Sequence, residues 1–161
     1  MKKNNREIII QNLVKNINQE ISSLEEIYAQ IEPLIKTAEE AKEEEKIFYN
    51  RAAGSILQDF YTGLEKIFCD IANKVDQELP KGDDWHIKLL KNMTEAREKR
   101  TSVISLELME ELKEYLGFRH LFRNIYGLQL NWEKLKNLLL KILVNLWERL
   151  KNELDLFMKR L

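Results

Sequence analysis

The sequence predicts an all-α protein, an antiparallel bundle of four or five helices. Three observations carry this. Apolar residues recur at three- and four-residue steps through most of the chain, the period of a helix with one buried face. Two prolines and five glycines in 161 residues leave little punctuation, so the helices are long. No stretch alternates in the manner of a strand, and no internal repeat is present. Hydrophobic residues at 44% and charged residues at 33% fit a folded, helix-rich chain rather than a disordered one. The length suits one domain, 1–161, with a core of its own.

The first helix is expected from about Arg6 to Ala29, on a stripe of Ile9, Leu13, Ile17, Ile21, Leu24 and Ile27. Pro33 marks a bend or break. The charge run KTAEEAKEEEK reads as a solvated helical turn leading into the second helix, so that 1–38 forms an N-terminal helical extension and 39–161 the bundle. The second helix runs from roughly Glu39 to Glu78. Its interior glycines, Gly54 and Gly63, each weaken a helix by about 1 kcal/mol relative to alanine and suggest close approach of another helix or a ligand. Pro80 and Gly82 supply stop and turn signals. Asp83 or Asp84 then caps a shorter helix to about Glu98. Ser105 caps a fourth helix, with Glu107 in its first turn, that continues to about Tyr126. The fifth starts near Asn131 and runs to the end, with Trp132, Leu135, Leu139, Ile142, Leu146 and Leu150 leading a wide apolar face. Trp147, like Trp132, is assigned to core or interface.

Composition excludes several classes. The formal charge of −1 rules out a polycation, so nucleic-acid contact needs a local basic patch. A single cysteine, Cys69, cannot form an internal disulfide, and its place in an apolar run reads as a small buried hydrophobe. No Cys/His cluster offers a metal site, and no cofactor is implied. The apolar run near the N-terminus is too short for a secretory signal, and no stretch approaches the roughly 20 apolar residues that span a bilayer. A cytoplasmic protein without membrane contact is the expectation.

The segment GFRHLFRNIYG, residues 117–127, stands apart. On a helical wheel with Arg119 at zero, Tyr126 lies at about −20°, Arg123 at about 40°, His120 at about 100° and Asn124 at about 140°. Phe118, Leu121, Phe122, Ile125 and Leu128 fill the other half. That division assigns the apolar half to the core and turns the polar half to water, a ligand or a second subunit. Exposed helix surfaces are usually built from Lys and Glu, whereas arginine offers a planar fork of donors suited to phosphate. Arg, His, Asn and Tyr together make a phosphodiester site without a metal. Gly117 and Gly127 bracket it and permit close backbone approach. The plain alternative is a solvated helix face, with Arg119 and Arg123 paired to acidic residues such as Asp59 or Glu65.

RHLFRNIY followed by GLQLNWEKL, after RAAGSILQDFYTGLEKIF and LPKGDDWHIKLL, resembles the HepT-like branch of the HEPN ribonucleases. The resemblance runs from about Arg51 to the C-terminus. It implies a HEPN-like bundle that forms a homodimer with two motif copies facing one cleft. It implies a metal-independent RNase toxin acting on RNA, tRNA included, and a minimal nucleotidyltransferase as antitoxin partner that adds AMP to the motif tyrosine. The motif arginine maps to Arg119 and the motif tyrosine to Tyr126. The motif histidine is replaced by Asn124, which cannot exchange a proton at neutral pH.

His120 is the substitute, about 40° from Asn124 on the same face. In a symmetric dimer, two His120 side chains would supply acid and base. Arg119, His120 and Asn124 are thus the catalytic candidates. Arg119, Arg123 and Tyr126 are the phosphate- and RNA-binding ones, and Tyr126 is the modification target. His86 reads as a helix-start residue. The competing function is a non-catalytic subunit that binds nucleotide or RNA, or docks a nucleotidyltransferase.

Overall fold

The computed structural model describes residues 2–126 and 129–161, with side chains from residue 4 onward. The order is α1 (Lys2–Tyr28), α2 (Ile31–Glu40), α3 (Lys46–Ile71), α4 (Trp85–Asn92), α5 (Leu106–Asn124), α6 (Trp132–Lys141) and α7 (Trp147–Lys159). Among the described residues there is no strand, so the all-α expectation holds. A π-helical turn, Ile142–Leu146, joins α6 to α7, making them one long helix with a widened turn. Another, Ala72–Asp76, extends α3 and ends where Gln77 takes a left-handed conformation at φ 57°. No helix of the described residues is long and apolar enough to cross a membrane.

Cross-helix pairs fix the packing. Asn16–Asp70, Glu20–Lys66 and Leu24–Gly63 set α1 antiparallel to α3. Ser105–Glu153, Glu111–Arg149, Glu114–Lys141 and Tyr115–Leu138 set α5 antiparallel to α6–α7. Lys151–Glu25 and Tyr28–Trp147 close α7 against α1. Helix α3 is the hub, and its apolar stripe supplies Phe60, Leu64, Phe68 and Ile71, all fully buried. Phe60 stacks obliquely on Tyr115 at 5.8 Å and edge-on to Trp147 at 6.0 Å.

Both interior glycines serve helix packing. A Cβ on Gly63 would lie 2.6 Å from Leu24, and one on Gly54 would lie 2.5 Å from the Phe122 ring.

The ends differ from expectation in instructive places. The first break falls at Ala29–Gln30, ahead of Pro33. Proline then occupies the first turn of α2, where a missing N–H costs nothing. The acidic run breaks at Ala41–Lys42 and re-forms as a single tight turn, Glu43–Glu45, so the long helix starts at Lys46 rather than Glu39. Asp84 does not cap α4 with its side chain; it pairs with Lys88 at 2.9 Å. Helix α4 stops at Asn92, not Glu98. The following segment is pinned instead by Arg100, which is fully buried, grips both oxygens of Asp76 and donates to the carbonyls of Asn92, Glu95 and Thr101. Ser105 caps α5 as expected, accepting from Leu108 N, and Asn131, near which the last helix is expected to start, caps α6 by accepting from Lys134 N.

Candidate functional site

The site is built on α5, whose orientation is set by its first three turns. Leu108, Leu112, Tyr115 and Leu116 are buried. Carried forward at about 100° per residue, that stripe is centred within about 20° of Arg119. Arg119 therefore enters the core, with 3% of its surface exposed. The expectation that the polar half of the motif faces outward is overturned for this residue. The last turn alone does not carry the phase that the turns before it set. Leu121, opposite the stripe, is exposed instead, while Phe118, Phe122 and Ile125 are half-buried.

Burying a guanidinium requires a carboxylate. Glu65, itself buried on α3, provides it: Arg119 Nη1 donates to Glu65 Oε1 at 2.7 Å. The other oxygen, Oε2, lies 2.6 Å from His86 Nδ1, and Arg119 Nη2 approaches the same nitrogen at 3.4 Å. The Tyr61 ring lies 5.7 Å from the guanidinium carbon. Burial pushes the Tyr61 hydroxyl far above its usual range, with the Glu65 charge adding to it. Burial also pushes the Cys69 thiol, one turn beyond Glu65, up to about 11. Arg119 Nε is buried and has no acceptor among the described residues.

His86 stands at the start of α4, stacked on Trp85 at 3.7 Å between ring centres. Its ring meets that of His120 edge-to-face at 5.4 Å. Three helices thus converge: α3 with Glu65, α4 with His86, α5 with Arg119 and His120. His120 is exposed on one side. Partial burial of the other lowers its pKa from the ordinary value, and the neighbouring His86, Arg119 and Arg123 lower it further, against a smaller pull from Glu65.

The remaining motif residues diverge. Helix α5 ends at Asn124, and Ile125 is extended at φ −119° and ψ 155°. Tyr126 is therefore not beside Arg119 on a helix face, as the wheel has it; it leaves the helix and is 81% exposed. Its backbone N–H donates to Gln129 Oε1 at 3.3 Å. Arg123 is exposed, and the Asn124 amide donates to the His120 carbonyl at 2.7 Å. Gly117 is exposed, and a Cβ there would meet nothing within 4 Å. Gly127, the second bracket, and Leu128 lie outside the described residues.

Of the cluster, sequence reasoning named Arg119 and His120 as site residues, gave Glu65 only as a structural partner and set His86 aside. The signal for His86 was the Trp-His pair after a Gly-Asp-Asp turn. Nothing in linear spacing ties residues 65, 86 and 120 together.

Fold and cluster define the class: a helical bundle with an arginine, a carboxylate and two imidazoles gathered where three of its helices meet. The chain belongs to the HepT-like family, whose model, described as "HepT-like protein", matches residues 52–161. No curated protein and no solved structure gave a match.

Proposed function

We propose that this protein is the toxin of a toxin–antitoxin pair, a metal-independent endoribonuclease that acts on RNA, tRNA included, in the cytoplasm. Family membership supports the class, and one observation carries the chemistry: His120, its pKa lowered, lies at the mouth of a cluster that holds Arg119, with the exposed Arg123 one turn from Arg119. In the proposed reaction a base takes the proton of a ribose 2′-OH. The 2′ oxygen bonds to phosphorus, the bond from phosphorus to the 5′ oxygen breaks, and that oxygen takes up a proton. The products carry a 2′,3′-cyclic phosphate and a 5′-hydroxyl. Neither metal nor cofactor is needed for this balance. Arg123 meets the phosphate from the exposed side, while the buried Arg119, paired with Glu65, holds the motif helix in place. Asn124, exposed beside His120 and bonded to its carbonyl, exchanges no proton.

The active form in this reading is a homodimer. Between α5 and α6 lies an open groove of about 950 Å³ whose apolar lining includes Phe118, Leu121, Leu138, Leu140 and Val144. Val144 is 77% exposed and Leu121 53%. A second copy seated there buries these side chains and brings a second motif helix close. The partner that silences the toxin is a minimal nucleotidyltransferase, which transfers AMP from ATP to the accessible Tyr126 hydroxyl: the phenolic oxygen gives up its proton and bonds to the α-phosphorus as pyrophosphate leaves.

The test is RNA cleavage by the purified chain in EDTA. His120→Ala and Arg123→Ala are expected to reduce it at least about 100-fold, the usual range for a proton-transfer group or a phosphate clamp. Equal rates in parent and variants would remove the assignment. A second reading, a non-catalytic subunit that binds RNA or docks the nucleotidyltransferase, is favoured by Asn124, whose amide is spent on the His120 carbonyl. It calls for no cleavage by the parent, a stable complex with the partner, and activity gained by Asn124→His.

A further inference from the structure

We propose that His86, fixed by Glu65 and set against His120, is the second proton-transfer residue of this cluster and takes the role that Asn124 cannot fill. The inference rests on the reading of the site as an RNA-cleaving one.

In-line transesterification needs two proton exchanges, one at the 2′ oxygen and one at the leaving 5′ oxygen. Within one protomer the motif helix supplies a single imidazole, His120. The other comes from α4. Glu65 Oε2 at 2.6 Å holds a proton on His86 Nδ1, which leaves Nε2 for exchange. Stacking on Trp85 at 3.7 Å and the edge contact with His120 at 5.4 Å lock the ring. Both oxygens of Glu65 are engaged, one by Arg119 and one by His86, so the carboxylate sets the two side chains relative to each other.

A purely stabilising role explains less. Glu65 and Arg119 would satisfy each other without a histidine. As built, the second carboxylate oxygen goes to His86 rather than to a second Arg119 nitrogen. The side chains that bear on the two rings are Glu65 from α3, Trp85 beside His86, and Arg119 and Arg123 from α5. His120 takes the 2′ proton as the bond from the 2′ oxygen to phosphorus forms. His86 delivers a proton to the 5′ oxygen as its bond to phosphorus breaks. Glu65 is a positioning residue.

The experiment compares the full-length parent with His86→Asn on an RNA dinucleotide, and on the same dinucleotide with sulfur at the 5′ bridging position. Asparagine keeps a donor near Nδ1 for Glu65 and removes Nε2. Sulfur leaves without protonation. On the oxygen substrate the variant is expected to lose about 100-fold or more in kcat, with KM little changed. On the sulfur substrate it is expected to match the parent within about threefold. That rescue has no counterpart for a merely structural residue. Loss of activity on both substrates, or on neither, overturns the proposal while leaving the ribonuclease reading intact. If the parent cuts neither substrate nor any longer RNA, the ribonuclease reading itself fails. His86→Gln serves as second variant, and failure of both to fold would assign His86 to structure and overturn its chemical role.

Discussion

Glu65 and Arg119 form a buried ion pair between α3 and α5, Oε1 to Nη1 at 2.7 Å, with side-chain exposures of 11% and 3%. This pair holds the motif helix against the hub of the bundle.

Removing one partner leaves an uncompensated charge in the core. Glu65→Ala is expected to destabilise the protein by about 3–5 kcal/mol. Arg119→Met should cost less, because Glu65 keeps His86 and the new side chain fills the apolar volume. Urea unfolding of both variants measures this. Equal losses would mean that Arg119 is not held as described.

Gly54→Ala places a methyl 2.5 Å from the Phe122 ring, so α5 must shift or the ring must turn. The expected loss is about 1–3 kcal/mol, from overpacking. Combining it with Phe122→Leu should cost less than the two single changes summed, since the smaller side chain opens the space. Denaturant midpoints of the two single variants and the double variant test the coupling.

His120 should titrate by NMR with a midpoint below 6.5, and Arg123→Gln should move that midpoint up part of the way. The linkage has a definite sign. The unfolded chain binds the proton more readily, so stability is intact above about pH 6.5 and falls as the pH drops from there through the folded midpoint. Replacing His120 with Gln should flatten that part of the stability profile. An unshifted midpoint would contradict the described surroundings.

Leu121→Glu and Val144→Glu place charges on the apolar groove between α5 and α6. The parent is expected to sediment as a dimer and each variant to dissociate at least about tenfold more readily, a change of about 1.4 kcal/mol. Unaltered association would place the interface elsewhere.

Much of this architecture is legible in the sequence, because the apolar stripes of Leu13–Leu24, Phe60–Ile71 and Leu135–Leu154 repeat at the helical period. The cap Ser105 announces itself by residue type, whereas Asp84, of an equally suitable type, gives its side chain to Lys88 instead. The site is less legible for a specific reason. The wheel drawn over residues 118–128 puts Phe118, Leu121 and Phe122 inward, whereas the earlier turns of the same helix put Arg119 inward. The polarity of Arg119 hides its burial, since only the tertiary arrival of Glu65 makes that burial affordable. The same holds for His86, whose partners are 21 and 34 residues away in sequence and come from other helices. Tyr126 departs from the wheel because the helix ends two residues short of it.

The most direct test of the central claim is the chemistry of the cut ends. RNA cleaved by the purified protein in EDTA should carry 2′,3′-cyclic phosphates and 5′-hydroxyls, and His120→Ala should stop their appearance. Ends bearing 3′-hydroxyls and 5′-phosphates, or cleavage that survives loss of His120, would contradict attack by the ribose 2′ oxygen at this site.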